Sequence, residues 1–249
     1  MLAGFHTIAS GMMASQKNLD TIGNNILNAE TTGFRGQKVV YSAFEKEMIS
    51  VNERSGSKVL GNGKGSPAVL IDSVESLFQS GAIQSTGRGL DVAINGEGFF
   101  NVTGEDGTTY MTRDGAFDID TEGYLILPGA GRVVGESGYI KAESSDVTIS
   151  SDGTVASASG IRIGKIKITA PTDYSTLERA ANGMFTSANA VPVSTNYQLQ
   201  QNSLEGSNVN LNVELTSLVA AQRAFQSCST ALTAIDALNR KAAQQLASI

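Results

Sequence analysis

Residues able to carry catalysis or bind a metal are scarce in this sequence. The 249 residues include one histidine, His6, and one cysteine, Cys228. A catalytic triad needs a base beside its nucleophile, and a structural zinc site needs four Cys or His ligands. Because one residue of each type assembles neither set, we expect no enzyme activity, no cofactor and no metal.

Two segments approach known ligand-binding loops, and each lacks an essential residue. Residues 56–62 begin with the glycine spacing of a phosphate-binding loop, but Asn62 stands where its lysine is required. Asp118 and Asp120 match the start of a calcium-binding EF-hand loop, but Gly129 occupies the twelfth position, where a bidentate Glu is required. We interpret the first segment as a loop and the second as a polar hairpin.

The charges of the chain point to structural use. Lys and Arg number 18 against 24 Asp and Glu, which gives a net charge of -6 and no basic footprint for nucleic acid or anionic lipid. Four charged residues of the central region could form ion pairs at a strand edge or a subunit contact: Arg88, Asp91, Arg113 and Asp114.

The first thirty residues carry no basic region followed by an uninterrupted apolar run, as a secretory signal would. No stretch approaches the roughly 20 apolar residues of a membrane-spanning helix. We therefore expect no membrane insertion, and a protein that is either cytosolic or exported without a cleaved signal peptide.

Apolar positions predict a long amphipathic helix at each end of the chain. Spacings of three and four residues place them on one face, as in coiled coils. The N-terminal face consists of Phe5, Ile8, Met12, Ser15, Leu19, Ile22, Ile26 and Ala29. The C-terminal face consists of Leu211, Leu218, Ala221, Phe225, Cys228, Leu232, Ile235, Asn239, Ala242, Leu246 and Ile249. Because isolated helices are marginal in water, the two ends are predicted to pack together.

The central residues 66–185 carry short β-branched and aromatic runs separated by glycines, which predict an all-β sandwich or barrel. Asp-Gly or Glu-Gly pairs at residues 106–107, 122–123 and 152–153 indicate hairpin turns. Gly164, between isoleucines on both faces of the last run, predicts a β-bulge. The predicted strands are Leu90–Ile94, Phe99–Thr103, Thr108–Thr112, Ala116–Ile119, Tyr124–Leu127, Arg132–Val134, Tyr139–Lys141, Val147–Ser150 and Ile161–Thr169.

The predicted fold class is α+β in several parts. Long N- and C-terminal helices form a discontinuous coiled-coil domain, and a central all-β domain is looped out between them. The predicted boundaries are 1–34 for the N-terminal helix, 35–65 for a flexible connector, 66–185 for the β domain, 186–208 for an extended Asn-rich connector and 209–249 for the C-terminal helix.

Three long segments resemble a known family. NNILNAETTGFRGQ (residues 24–37) resembles the signature that ends the N-terminal helix of flagellar rod and hook proteins. SGAIQSTGRGLDVAINGEGFF (80–100), followed by TTYMTRDGAFDIDTEGYL (108–125), resembles their central module. LEGSNVNLNVELTSLVAAQRAFQSCSTAL (204–232) resembles their C-terminal helix signature. The chain is thereby identified as similar to the flagellar basal-body rod proteins, and the short β region argues against a hook protein.

The resemblance implies an axial structural protein of the periplasmic rod. Such subunits leave the cell through the flagellar type III export apparatus and assemble helically into a drive shaft with copies of themselves and other rod and hook proteins. Their terminal helices form an inner tube and their β domains an outer layer. The C-terminal signature often has Tyr where Phe225 stands, and Cys228 is unusual, so the resemblance fits proximal and distal rod subunits alike.

The candidate subunit-interface residues are those of the apolar faces together with polar groups that could fix register. Alternatively, the asparagines could lie at a helix end that is exposed to water, because Asn favours helix termini. Gly33 would let the chain turn away from the helix. The candidate set is Phe5, Ile8, Met12, Leu19, Ile22, Asn24, Asn25, Asn28, Gly33, Phe34, Leu215, Leu218, Gln222, Arg223, Phe225, Leu232 and Ile235.

Two other function classes fit the sequence less well. A surface-displayed β-domain adhesin on a helical stalk would need a trimeric coiled coil and a surface anchor, and the sequence shows no anchor. A hydrolase acting on peptidoglycan would need a paired acid and nucleophile in a cleft, and no such constellation stands out.

Overall fold

The computed structural model describes residues 2–43, 69–180, 182–187, 189 and 191–247. The chain forms two compact units. The helical unit comprises Met1–Leu27, Gln37–Leu77 and Asn210–Ile249, and the β unit comprises Asn28–Gly36 and Phe78–Val209. Two terminal helices and a mostly β central region confirm the α+β prediction. Coiled-coil packing and the predicted domain boundaries stay predictions.

Helix α1 spans Leu2–Leu27 and helix α2 spans Leu211–Ala247. Asn210 caps α2, because its Oδ1 accepts the backbone N–H groups of Asn212 (3.1 Å) and Val213 (3.3 Å). After α1, the N–H of Thr31 donates a hydrogen bond to the carbonyl of Asn28 (3.2 Å), which forms a turn. The first helix therefore ends before residue 34, the end of the predicted N-terminal segment.

Strands β1 (Gln37–Ala43) and β2 (Val69–Ser76) form an antiparallel ribbon in the helical unit. Both strands pack against α1. Their register shifts between Val40 and Tyr41, which marks a bulge in the ribbon. Part of the predicted connector 35–65 is thus a strand, and the rest of it, from residue 44, lies outside the described residues.

The described residues of the β unit form sixteen strands, arranged in one large sheet and three smaller ones. The strands are β3 (Ile83–Ser85), β4 (Val92–Gly96), β5 (Phe99–Thr103), β6 (Thr109–Thr112), β7 (Asp118–Ile119), β8 (Leu125–Leu127), β9 (Gly131–Gly135), β10 (Gly138–Tyr139), β11 (Val147–Ile149), β12 (Thr154–Ser157), β13 (Arg162–Lys165), β14 (Ile168–Thr169), β15 (Leu177–Arg179), β16 (Phe185–Ser187), β17 (Tyr197–Gln201) and β18 (Ser203–Glu205). The large sheet runs β15-β16-β6-β5-β9-β8-β7, with β10 paired to β9 and β14 paired to β5. The smaller sheets are β11-β12-β13, β17-β4 and β18-β3.

Strand β5 divides its side chains between two hydrophobic clusters. Because successive residues of a strand point to opposite faces, Phe99 and Phe100 enter different cores. Phe100 packs edge-on against Phe117 (5.0 Å between ring centroids) in the main core. Phe99 packs with Met111 and Phe185 in a smaller, aromatic cluster. One short strand thereby contributes to both cores of the unit.

Every predicted strand overlaps an observed one, and the last is two strands, β13 and β14. The predicted bulge is confirmed: Val155 pairs with Gly164 and Ala156 with Arg162, so one residue of β13 is extra. The predicted strands do not include β3, β12, β15 and β16, nor β17 and β18, which lie in the predicted connector 186–208. Strands β17 and β18 pair with strands from the start of the unit, β4 and β3.

Candidate functional site: the surface of the helical unit and a buried ion-pair cluster

Helices α1 and α2 run antiparallel within the helical unit. A Cβ placed on Gly11 would lie 3.7 Å from the Sγ of Cys228, and Asn25 donates a hydrogen bond to Glu214 (3.2 Å). Residue numbers therefore rise along one helix as they fall along the other. Of the predicted seam residues, Cys228 lies beside α1, and Met12 and Phe225 line one groove.

Most seam candidates are at least half covered inside the single chain. Ile22 is buried, whereas Phe5 and the seam residue Leu211 are 38% and 43% exposed. The half-buried candidates are Ile8, Met12, Leu19, Leu218, Phe225, Leu232 and Ile235. Helices α1 and α2 contact each other within the chain, and a role of these residues between subunits stays a prediction.

Asn25 is a buried polar junction of the helical unit, with 2% of its surface exposed. Its Nδ2 donates to the carbonyl of Gln37 (2.8 Å) and to Oε1 of Glu214, and its Oδ1 accepts the N–H of Gln37 (2.9 Å). One amide thus fixes α1 against the start of β1 and the first turn of α2. Of the other two candidate asparagines, Asn24 is exposed and Asn28 is half-buried.

Several large apolar side chains of the helical unit remain exposed. Leu211, Leu215 and Val219 are 43%, 44% and 47% exposed, and their spacing of four places them on one stripe of α2. Gln222 and Arg223, also candidates, are exposed close by on the same helix. Contiguous exposed apolar surface of this kind marks interaction sites in soluble proteins.

A second apolar feature of the helical unit is a shallow groove of about 400 Å³. Met13, which is 70% exposed, lies on its wall. The groove is lined by Met12, Met13, Gln16, Lys17, Asp20 and Phe225. Flexible Met side chains suit a surface that adapts to a partner.

The candidates Gly33 and Phe34 are placed inside the β unit. Gly33 has φ +66° and donates its N–H to the carbonyl of Glu205 (2.8 Å), and a Cβ there would overlap the backbone of Asp114. Phe34 is 7% exposed beneath the guanidinium of Arg179, 4.4 Å from the ring centroid. The chain itself provides the packing partners of both residues.

The β unit holds a fully buried ion-pair cluster centred on Glu205. Its Oε1 lies 2.8 Å from Nη2 of Arg35 and accepts the N–H of Gly81 (2.8 Å), and its Oε2 lies 3.2 Å from Nη1 of Arg113. The side chains of Arg35, Arg113 and Glu205 are 1%, 4% and 0% exposed. Burial lowers the pKa of Arg113, and the charge of Glu205 opposes that shift. The cluster ties together segments that are remote in the sequence.

Three of the four charged residues noted in the sequence form ion pairs within the chain: Arg113 with Glu205, and Arg88 with Asp91. Arg88 lies 3.6 Å from Asp91 and 3.5 Å from Asp118. Asp114 accepts the hydroxyl of Thr32 (2.7 Å), and burial raises its pKa. Sequence reasoning singled out neither Arg35 nor Glu205, because ion pairs between distant segments leave no periodic signal.

The loop patterns that resemble ligand sites differ in outcome. Oδ1 of Asp120 accepts the N–H groups of Glu122 (2.9 Å) and Tyr124 (2.8 Å), so this carboxylate closes a polar hairpin turn as expected. Residues 56–62 lie outside the described part of the chain. Within the described part, no three His, Cys, Asp or Glu side chains are grouped so as to hold a metal ion, and no helix has the length and apolarity to cross a membrane.

These features define a protein with a paired-helix unit formed by both ends of the chain and a central β unit without a described metal site. The sequence family described as Flagella basal body rod protein matches residues 5–35. The Flagellar hook protein FlgE/F/G D1 domain matches residues 93–157, and the Flagellar basal body rod FlgEFG protein C-terminal matches residues 200–245.

Full-length relatives agree with these matches. The chain is 33% identical to the flagellar basal-body rod protein FlgF of Caulobacter vibrioides, over 96% of both chains. It is 33% and 34% identical to the rod proteins FlgG of Borreliella burgdorferi and Bacillus subtilis, over 95% of this chain and 96% of each relative. The chain belongs to the flagellar basal-body rod protein family.

Membership confirms the resemblance found in the sequence. It makes the chain a structural component of the flagellar basal body and implies that it is not an enzyme. The adhesin alternative has no support among these relatives. Relatives named FlgF and FlgG match at nearly equal identity.

Proposed function

We propose that the chain is an axial subunit that polymerises helically through its terminal helices into the rod, the drive shaft across the periplasm. The observation that supports this most is the exposed apolar stripe of Leu211, Leu215 and Val219 on α2. Burial of a large apolar side chain contributes about 1.5–3 kcal/mol, so a neighbouring subunit that covered the stripe would gain stability from it.

The assembly is expected to use heterologous contacts, in which different surfaces of successive copies meet. Such contacts propagate an open helix and do not close into a small ring. The stripe on α2 and the groove beside Met13 are two distinct apolar surfaces of the helical unit, as this kind of contact requires. The seam residues would hold α1 and α2 together and so position both surfaces.

The proposed partners are copies of this chain and other rod and hook proteins. We further propose that the flagellar type III export apparatus delivers the subunit without a cleaved signal peptide. The proposal includes helices α1 and α2, from the predicted segments 1–34 and 209–249, as the parts that build the inner, helical domain of the polymer.

Leu215 offers a direct test, because it is exposed in the single chain. Leu215→Asp should abolish rod formation and motility, while the purified chain keeps the circular dichroism and melting temperature of the parent. Leu215→Met is the matched control, since it retains apolar volume, and should assemble. Normal rods and swimming in cells carrying Leu215→Asp would contradict the proposal.

Leu232 tests the seam itself. It is half-buried in the helix pair, so Leu232→Asp should weaken the pairing of α1 with α2 as well as rod formation. The expected result is loss of motility together with reduced helical signal in the isolated chain. Normal rods in this variant would refute the role of the seam.

A further inference from the structure

The β unit carries an open cleft of about 820 Å³ beside the turns that join β5 to β6 and β8 to β9. Its apolar lining includes Ile126, Leu127 and Ala130. Tyr139, which is 50% exposed, adds an aromatic ring to the wall. A cleft of this size, with apolar and aromatic lining, is large enough to receive several side chains.

The rim of the cleft is anionic. Asp106 accepts the N–H of Thr108 (3.0 Å) and the hydroxyl of Tyr110 (2.9 Å), and these bonds lower its pKa, so it is charged at neutral pH. Asp120 is also charged, and the Arg132 beside it is held by Asp120 (3.0 Å) and Glu122 (2.6 Å).

Glu105 lies on the same rim. It has no ion pair with any side chain in the part of the chain that the structure describes. The cleft therefore presents one carboxylate that is free to pair with an incoming cation.

The turn of the β12–β13 hairpin carries groups complementary to the apolar lining and the anionic rim of the cleft. Ile161 is 68% exposed, although the turn is ordered by hydrogen bonds from Ser157 N–H to the Ile161 carbonyl (2.9 Å) and from Gly160 N–H to the Ser157 carbonyl (2.8 Å). The next residue, Arg162, is exposed and pairs with no acidic group among the described residues. The hairpin thus presents an apolar side chain and an unpaired cation next to each other.

We propose that the β12–β13 hairpin of one copy docks in this cleft of the next copy. Ile161 would cover the apolar lining at Ile126, and Arg162 would pair with Glu105 and stack on the ring of Tyr139. Charge complementarity identifies the occupant, since the rim is anionic and the hairpin cationic. Hairpin and cleft are different surfaces of one chain, so the contact is heterologous and propagates.

This contact rests on the proposed polymerisation and extends it from the helical unit to the β unit. It is tested by disulfide trapping in a Cys228→Ser background, which removes the one native thiol. Chains carrying Asn182→Cys, in the wall of the cleft, are mixed with chains carrying Ser159→Cys, in the turn of the hairpin, and oxidised at high protein concentration. Both changes leave Glu105 and Arg162 in place. The matched control replaces Asn182→Cys by Asn196→Cys, another exposed asparagine of the β unit, which does not line the cleft.

The expected result is roughly tenfold more disulfide-linked dimer in the 182–159 mixture than in the 196–159 mixture, because docking raises the effective concentration of the two thiols. Equal yields in the two mixtures would overturn the proposal. Efficient linkage of Ser159→Cys chains to one another would also overturn it, since that indicates a symmetric contact.

The same mixtures made in a Leu215→Asp background separate the two proposals. Linkage between 182 and 159 that persists there shows that the β units meet independently of the helices, which supports the hairpin contact. Rods that form normally with Leu215→Asp refute polymerisation through the helices. Absence of 182–159 linkage in both backgrounds refutes the hairpin contact.

Discussion

At the scale of single residues, the stability of the β unit is expected to depend strongly on Glu205, which pairs with Arg35 and Arg113. Removing one partner of a buried ion pair leaves an uncompensated charge away from water. Arg113 has further acceptors in the carbonyls of Ile94 (3.3 Å) and Gly96 (2.8 Å), but Arg35 relies on Glu205 for its charge partner. The β unit should therefore depend more on this carboxylate than on any surface ion pair.

The change Glu205→Gln keeps the shape of the side chain and removes its charge. We expect it to lower the free energy of unfolding of the β unit by about 3–5 kcal/mol, measured by urea denaturation. Glu136→Gln is the control: its carboxylate lies 3.1 Å from Lys165 and both side chains are partly exposed, so its loss should cost less than about 1 kcal/mol. Equal effects of the two changes would contradict the importance of the cluster.

A second prediction at the scale of single residues concerns Gly33. Gly33→Ala combines an unfavourable positive φ with overlap against the Asp114 backbone. Gly87→Ala meets only the first cost, about 1–2 kcal/mol, because its φ is +73° and no atom lies within 4 Å of the new Cβ. The melting temperature should fall clearly further for Gly33→Ala, and an equal fall would mean that residue 33 is not closely packed.

At the scale of elements, α1 and α2 contact through small as well as large residues. Gly11 lies beside Cys228, and a Cβ at 3.7 Å from its Sγ would make an ordinary van der Waals contact. A Cβ placed on Gly23 would have no atom within 4 Å. Neither glycine is therefore required by packing within the single chain.

We expect Gly11→Ala and Gly23→Ala each to stabilise α1 by about 0.5–1 kcal/mol, because Ala loses less backbone entropy than Gly inside a helix. Thermal unfolding followed at 222 nm would measure the gain. A loss of stability for Gly11→Ala would show that the helices approach more closely than the structure has them.

At the scale of the whole molecule, the β unit reaches beyond the predicted end of the β domain at residue 185. Strand β17 pairs with β4 from Tyr197 to Gln201, and β18 pairs with β3 up to Glu205. The Asn-rich stretch 186–208 is thereby part of the folded unit. Its few charges and many amides suit an extended segment that hydrogen-bonds to neighbouring strands.

Limited proteolysis of the dilute chain tests this extent. Both terminal helices should be cut before the β unit, and a resistant fragment should end near Val209, as determined by mass spectrometry. The paired strands protect cleavage sites up to Glu205 by holding their backbone in sheets. A fragment ending near residue 185 would contradict the observed pairing, and protected termini in a stable monomer would count against assembly through the helices.

The sequence determined the elements whose signals are local. Spacings of three and four residues predicted α1 and α2, and Gly-containing turns predicted most strands between Leu90 and Thr169, because helix faces and hairpins depend on neighbouring residues. Three long motifs also identified the family. The sequence predicted a later end for α1, because the apolar spacing continues to Ala29. In the structure the helix ends at Leu27, and the backbone turns after it.

Only the tertiary structure decided which distant groups meet. Asn25 and Glu214 are 189 residues apart, and Arg113 and Glu205 are 92 apart. Such pairs have no period along the chain, because their partners are set by how the segments fold together. For the same reason nothing in the sequence indicated that Phe34 packs beneath Arg179 in the folded chain. Exposure, which decides whether an apolar residue such as Leu215 or Ile161 is available to a partner, follows from the packing of the whole unit.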